Sequence, residues 1–411
     1  MSALTSTDVL RPGPGGIKAW LTRQVMALIP LGMRLLRRFK PILGMRGLYV
    51  VTRYDDVREV FGTDTAFGVV YNDNIQVLTG GEPFFLGMPD SPTYHAQLDA
   101  MRRVVKASDL PALGDKAEAL AEAFVSASGG QVEVVSLVRQ VTFGVIAPYF
   151  GVPEPSQGRL EVWATRLFEF QFTGSPKDKD LRAEVDEIAP AFRAHIDQEI
   201  ARRKAAPNQV DDVLGRCLEL QRAGEPGYSD VEIRTALLCM VVGGPPQPPM
   251  VTPQAMEQLL RRPEALADAC KAAVAGNDPR LHDIVLEAMR FDPLAPGLPR
   301  LALTDWTVAR GTRRATTIPK GATVLAAFAS AMMDERRVLE PRRFKPGRPP
   351  CEYIHFGSGM HECFGRYINH ATLHRMLKPL LRRHNVRRAP GQLGKLRKTG
   401  IFADRLYVCH D

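Results

Sequence analysis

Phe356-Gly357-Ser358-Gly359-Met360-His361-Glu362-Cys363-Phe364-Gly365 is the stretch on which the reading of this 411-residue chain turns. It places one cysteine in a loop with glycines at 357, 359 and 365, directly before an apolar and basic run that reads as a helix from Arg366 to His384. Free backbone N–H groups and the positive end of a helix dipole favour an anion at such a position, so the thiolate of Cys363 is the expected form. Glycine permits main-chain conformations that turn successive N–H groups toward the sulfur and let a flat ligand lie against the loop. For an isolated Gly-x-x-x-Cys-x-Gly two readings stay open, an inert buried cysteine in a turn and a lone thiolate ligand. Structural zinc takes four protein ligands, and no second cysteine or histidine stands at zinc spacing. The ligand reading therefore points to an axial haem ligand, with His361 facing a haem propionate.

The full pattern resembles the cysteine-ligand loop of the cytochrome P450 family, Phe-Gly-x-Gly-x-His-x-Cys-x-Gly, on Phe356, Gly357, Gly359, His361, Cys363 and Gly365. The resemblance runs from about residue 45 to the C-terminus. It implies a mainly α fold with a smaller β-rich part, the cytochrome P450 fold, over 45–411 as one haem-thiolate domain. Residues 1–44 would precede it as a lead-in and a basic amphipathic segment. It also implies haem b as the cofactor and Cys363 as the iron's thiolate ligand, pushing electron density toward O–O cleavage.

Composition agrees with a large enzyme core: 45% of the residues are hydrophobic. The formal charge is +9, but the bases read as dispersed, without a basic tail or an aromatic-interleaved patch, which argues against nucleic acid and for an acidic protein partner. The six cysteines, 217, 239, 270, 351, 363 and 409, show no paired short spacing, which fits a reducing cytoplasm. Val25–Leu31 is broken by Pro30 and flanked by Arg23, Arg34, Arg37, Arg38 and Lys40, far short of the roughly 20 apolar residues a membrane span needs. It reads as a basic amphipathic helix packed on the body, with a membrane-surface anchor as the lesser alternative.

Along the chain, residues 1–16 read as an unstructured lead-in through Pro12-Gly13-Pro14-Gly15-Gly16. Leu48–Thr52 reads as a strand and Arg53–Phe61 as a short helix. Phe67–Met88 reads as a long irregular loop, matching by position the family's segment over the substrate pocket. In the following helix, His95 is one residue late for the family's propionate contact and Asp99 stands where an arginine belongs, so Arg102 or Arg103 is expected to take it. Helical patterns fill 114–150 and 157–205, where Trp163, Phe168, Phe170 and Phe172 belong to the core or to the family's lid. Ser229-Asp230-Val231-Glu232 is a capping box opening a helix apolar on all sides, which matches the family's helix across the distal haem face. Glu287 and Arg290 share one helix face and, with Arg343 of Pro341-Arg342-Arg343-Phe344, match the family's buried structural triad. Leu294–Pro299 would border the pocket, Arg300 would reach a propionate, and Thr323–Phe328 reads as a strand. His370 and His374 stand four apart, but without a third ligand they read as packing or surface residues.

The chain departs from the family on the central helix. Where Ala-Gly-x-(Asp/Glu)-Thr is usual, it has Gly243-Gly244-Pro245-Pro246-Gln247-Pro248-Pro249. Proline carries no proton to donate, and four prolines force a break. These residues imply a haem-thiolate oxidoreductase acting on a small apolar organic molecule by chemistry without the acid–alcohol relay: peroxide-fed (peroxygenase-like), a rearrangement, or substrate-assisted. Two alternatives stand beside it. One is an ordinary monooxygenase fed by an acidic ferredoxin, and the other a non-catalytic haem sensor or carrier.

Overall fold

A computed structural model describes residues 6–13, 16–175, 177–206 and 210–411. The helices, in chain order, are α1 (Ser6–Val9), α2 (Gly16–Phe39), α3 (Tyr54–Gly62), α4 (Asn72–Thr79), α5 (Pro92–Val104), α6 (Leu110–Ser126), α7 (Val134–Tyr149), α8 (Leu160–Thr173), α9 (Lys179–Ala205), α10 (Val213–Arg222), α11 (Asp230–Gly243), α12 (Pro248–Leu260), α13 (Pro263–Val274), α14 (Asp278–Phe291), α15 (Phe328–Ala331) and α16 (Arg366–Leu381). α7 and α12 are apolar nearly all round and are buried accordingly, α12 from Pro248 through Leu259. They pack on each other, and α12 also packs on α14, while α16 lies along α6. Charge pairs tie the last contacts together: Lys378 Nζ of α16 reaches Glu118 of α6 at 3.0 Å and Asp278 of α14 at 2.7 Å.

The strands are β1 (Ile42–Met45), β2 (Leu48–Val51), β3 (Phe67–Gly68), β4 (Gln131–Glu133), β5 (Leu298–Ala302), β6 (Trp306–Val308), β7 (Thr316–Ile318), β8 (Thr323–Ala326), β9 (Arg387–Arg388), β10 (Arg397–Thr399), β11 (Phe402–Arg405) and β12 (Tyr407–Cys409). The largest sheet runs β1-β2-β8-β5-β3, with β2 parallel to β8 and β5 antiparallel to it. Its apolar side joins Val51, Phe61, Val324 and Phe328 to Ile354, two residues before the glycine loop, so the small sheet supports the loop's entry. β5 leaves Arg300 buried.

The capping box forms as its sequence dictates: Ser229 Oγ accepts from the Glu232 amide at 3.3 Å and Glu232 Oε2 from the Ser229 amide at 2.9 Å. Elsewhere the structure corrects the sequence. The lead-in is ordered where described. Val9 and Leu10 are buried, and Arg11 reaches across to Asp178 at the start of α9, at 2.8 and 3.0 Å. Residues 1–5, 14 and 15 lie outside the described residues. The supposed loop 67–88 contains α4, whose ending at left-handed Gly80 (φ 77°) the aromatic composition concealed. The span 114–150 is split by β4 between α6 and α7, and the strand expected to Phe328 stops at Ala326, where α15 follows. No helix among the described residues is long and apolar enough to cross a membrane.

Candidate active site

The Cys363 loop is shaped by two left-handed glycines, Gly357 at φ 77° and Gly359 at φ 81°. At Gly359 a Cβ would stand 2.2 Å from the Phe61 carbonyl oxygen, so a side chain there would displace the loop from α3. The Cys363 amide donates to the Phe356 carbonyl at 3.0 Å, and Gly365 caps α16 with its N–H toward the sulfur. Tyr94 of α5 pins the loop from the side, its hydroxyl donating to the Met360 carbonyl at 2.7 Å. The expected resting thiolate is not borne out. Burial pushes the Cys363 thiol up to about 11, outweighing the Gly365 N–H, because the helix-mouth dipole does not replace the water lost. A bound cation is needed to hold this sulfur ionised.

Two further polar groups are buried without an anionic partner. Arg300 donates from Nη1 to the Pro299 carbonyl at 3.1 Å and lies 4.9 Å over the Phe61 ring. His361 leaves Nδ1 with no hydrogen-bond partner, and its pKa is lowered to about 4, first by burial and then by the charge of Arg300. A buried cation beside an unsatisfied imidazole, with no carboxylate at ion-pair distance among the described residues, calls for an acidic ligand. A haem fits these residues, with Cys363 for the iron and Arg300 and His361 for its propionates. His95 and Arg102 are not brought to this place. His95 is exposed and bonded to Asp90 at 2.7 Å, and Arg102 is exposed beside Asp99 at 3.6 Å, because the helix face that carries both points outward. Tyr71, within the 67–88 segment expected over the pocket, is close enough for its phenol to feel both Arg300 and Cys363, and its ring meets Phe172 of α8 at 5.1 Å.

Gly243, Gly244, Pro245, Pro246 and Gln247 form the break between α11 and α12. α11 ends as the Gly244 amide donates to Met240 at 2.9 Å, and α12 restarts with Pro248 at its first position, where a missing N–H costs nothing. Pro245 and Pro246 are buried, and the Gln247 side-chain amide is engaged, donating to the Gly243 carbonyl. The lid aromatics divide between roles. Phe168 and Phe170 are buried, Phe168 meets Phe402 at 6.1 Å, and Phe172 reaches down to Tyr71. A cavity of about 200 Å³ lies between α5 and the start of α11. Phe85 lines it, and the same ring meets Phe364 of the cysteine loop at 5.7 Å.

Beneath the loop, Glu287 and Arg290 form a fully buried bidentate pair at 2.8 and 2.9 Å. The third member is Arg348, not Arg343. Arg348 is 2% exposed and reaches Glu287 at 3.2 Å, whereas Arg343 is 70% exposed and faces Glu340. Left-handed Glu340 and Gly347 fold the intervening chain back, so Arg343 contributes its carbonyl, which accepts from Arg348 at 3.0 Å. Tyr353 Oη donates to Glu287 at 3.2 Å, linking the pair to the segment that enters the loop. His370 and His374 pack with His282, whose Nε2 lies 2.8 Å from His370 Nδ1; among the described residues no group of ligating side chains is arranged for a metal.

This is a mainly helical protein built around a half-buried cysteine loop and an unpaired Arg–His corner. The family model described as Cytochrome P450 matches residues 176–401, more than half of the chain. Mycinamicin IV hydroxylase/epoxidase of Micromonospora griseorubida is 27% identical over 366 residues, 84% of each chain. A bifunctional dioxygenase (DOX)-epoxy alcohol synthase (EAS) of Pyricularia oryzae is 36% identical over 99 residues, 24% of this chain and 9% of that protein. The ligand-free structure of cytochrome P450 TbtJ1 superposes with a TM-score of 0.76 at 24% identity, covering 94% of this chain and 98% of that one, a likeness of fold. The chain belongs to the cytochrome P450 family, and it is a haem-dependent oxidoreductase.

Proposed function

We propose that this enzyme oxidises a small, largely apolar organic molecule with an oxidant that arrives as a peroxide or organic hydroperoxide. The observation that carries the reading is the break at Gly243–Gly244–Pro245–Pro246–Gln247, which contains neither carboxyl nor hydroxyl side chain and ties up its one side-chain amide. Haem b, when bound, would supply the oxidising iron, and the Cys363 thiolate would hold it. Around it the chain's residues have separate tasks. Arg300 would neutralise the propionates and the neutral His361 would hydrogen-bond them. Phe172 and Tyr71 close the space between α4 and α8 against water, and the Tyr71 phenol is placed to donate a hydrogen bond to substrate or oxidant. Pro245 and Pro246 line the break without moving a proton. An oxidant that carries its own electrons and protons has less need of a relay, which otherwise is worth roughly 10²- to 10⁴-fold.

Two observations favour this reading. Basic residues open to an acidic redox partner on the cysteine side would include Arg102, Arg103, Lys106 and Arg366, yet three of these already face carboxylates: Arg102 with Asp99, Arg103 with Glu225 at 2.8 Å, and Arg366 with Glu362. A dioxygenase leaves both oxygens in its product, and an epoxy alcohol also holds two oxygens, so the partial match to a dioxygenase-epoxy alcohol synthase fits a substrate bearing its own oxidant. The whole-length likeness to a hydroxylase/epoxidase favours the second reading, a dioxygen-dependent monooxygenase.

The experiment is turnover by the haem-loaded protein of an apolar compound chosen for its shift of the haem absorption band. Hydrogen peroxide and cumene hydroperoxide are compared with dioxygen, ferredoxin and reductase. Peroxide-supported product at least equal to the reductase-supported yield is expected. Tightly coupled turnover with the reductase system and none with peroxide overturns the reading in favour of the monooxygenase.

A further inference from the structure

We infer that α2 and the β1–β2 turn form a docking face for an anionic lipid surface. The first observation is the position of charge. The chain carries 54 basic and 45 acidic side chains. Nine of the basic ones and none of the acidic ones fall between Val9 and Tyr54, so the remaining residues balance at 45 of each sign. The whole net charge of this protein therefore belongs to one segment, although its bases look dispersed along the chain.

The second observation is an apolar ridge on that segment. Leu28, Leu31, Leu35 and Phe39 of α2 are 61, 52, 50 and 74% exposed. Spacings of three and four residues put them on one helical face. On the opposite face Arg37 is buried, its Nη1 donating to the carbonyl and the hydroxyl of Ser330 at 3.0 and 2.8 Å. That anchor fixes the rotation of the helix and turns the leucines outward. The β1–β2 turn adds Met45 and Leu48, also exposed, with Arg46 at its tip. Arg34, Arg38, Lys40 and Arg46 are exposed around the ridge, and among the described residues none of them is paired with a carboxylate, whereas Arg102, Arg103 and Arg366 elsewhere on the surface are.

An exposed apolar helix face flanked by unpaired cations is the composition that lies in a membrane interface: the apolar side chains enter the acyl boundary and the cations meet anionic headgroups. A fluid surface can receive these exposed side chains without a matching groove. A second copy of this chain would bring like charges together, which disfavours a symmetric dimer through this face. No spanning helix is required, and none is present among the described residues.

Flotation of the full-length, haem-loaded protein with phosphatidylcholine vesicles, with and without phosphatidylglycerol, tests this. The protein should float with the anionic vesicles and much less with the neutral ones. Leu31→Ser/Leu35→Ser/Phe39→Ser and, separately, Arg34→Glu/Arg38→Glu/Arg46→Glu should each lower the bound fraction at least about ten-fold, with unchanged haem content as the control for folding. A wild-type protein that stays with the soluble fraction at every lipid composition overturns the inference. So does binding that neither variant weakens, or light-scattering evidence of a dimer that Phe39→Ser dissolves.

Discussion

Arg300 and His361 are both buried, burial first and then the charge of Arg300 holding the His361 imidazole neutral, with no carboxylate at ion-pair distance of Arg300 among the described residues. Such an arrangement is stable only with an acidic group between them, and this makes haem retention the quantity to measure. Arg300→Leu and His361→Ala should each speed haem transfer to apomyoglobin by about ten-fold or more, since a charge-assisted hydrogen bond is worth roughly 1.5–3 kcal/mol. His95→Ala and Arg102→Ala, both on the exposed face of α5, should leave it unchanged. Loss of haem in the second pair and not the first would move the propionates to α5.

Cys363→Ser should abolish the thiolate-type absorption of the reduced, carbon-monoxide-bound protein. The burial that raises this thiol also means that a variant with no iron ligand has no charge to stabilise, so the Cys363→Ser protein should remain folded. An unchanged spectrum would remove Cys363 as the ligand.

Glu287 receives bonds from Arg290, Arg348, Tyr353 and the Lys345 amide, and none of the four reaches it through water. Glu287→Ala leaves the buried Arg290 guanidinium without a carboxylate, and Arg348 with Glu352 alone at 3.1 Å, and should cost roughly 3–5 kcal/mol, enough to reduce soluble haem-loaded yield severely. Arg348→Ala should be comparably harmful. Arg343→Ala, on the surface, should change the melting temperature little. Equal damage from Arg343→Ala would restore it to the triad.

The contrast between Arg343 and Arg348 shows where sequence reasoning stopped. The cysteine loop, the capping box and the Glu287–Arg290 pair were legible because each is set by spacing within a turn or two of chain. Which arginine completes the pair depends on two left-handed residues, Glu340 and Gly347, that reverse a meander lacking regular structure. Arg11 binding Asp178 was illegible for the same reason, since no local pattern reports a partner 167 residues away. The Cys363 thiolate was a misjudged balance, because the dipole was visible in sequence and the depth of burial was not. The basic amphipathic character of α2 was legible too, whereas which of its faces stays exposed depends on the distant anchor between Arg37 and Ser330.

Acid should weaken the fold before the carboxylates titrate. His355, His370 and His374 are lowered to about 3, 4 and 4, in each case chiefly by burial; His282 is lowered too. Arg290 and Arg366 also oppose protonation in this cluster, as do Arg375 and Lys378, while Asp278 and Asp283 favour it. Below pH about 6.5 the unfolded chain binds protons that the folded one refuses down to about 4, so stability is full above the ordinary histidine pKa and falls through that window. Glu287 acts lower: its pKa is depressed, so its contribution is present above the ordinary carboxylate range and is lost only beneath it. The melting temperature should drop by at least about 5 °C between pH 7 and pH 5, and His370→Gln/His374→Gln should flatten that slope. A flat profile in the wild type would mean that the cluster is already protonated in the fold.

Gln247 is the residue that separates a structural break from a catalytic one. Its side-chain amide donates to the Gly243 carbonyl, the acceptor that the Gln247 backbone N–H leaves free by bonding to Gly244 instead, and that bond bridges the end of α11 to the residue before α12. If this is its whole task, Gln247→Ala removes one partly buried hydrogen bond, worth about 1 kcal/mol, and lowers the melting temperature by a few degrees. Peroxide-supported turnover should then fall by less than about ten-fold, below the effect of losing a proton donor. Pro246→Thr, which returns a hydroxyl to the family's position, should not raise peroxide-supported turnover, because the oxidant brings the protons that a relay would deliver. It should raise whatever reductase-supported coupling exists. A collapse of peroxide turnover in Gln247→Ala with the melting temperature unchanged would make Gln247 the proton donor and return the break to the mechanism.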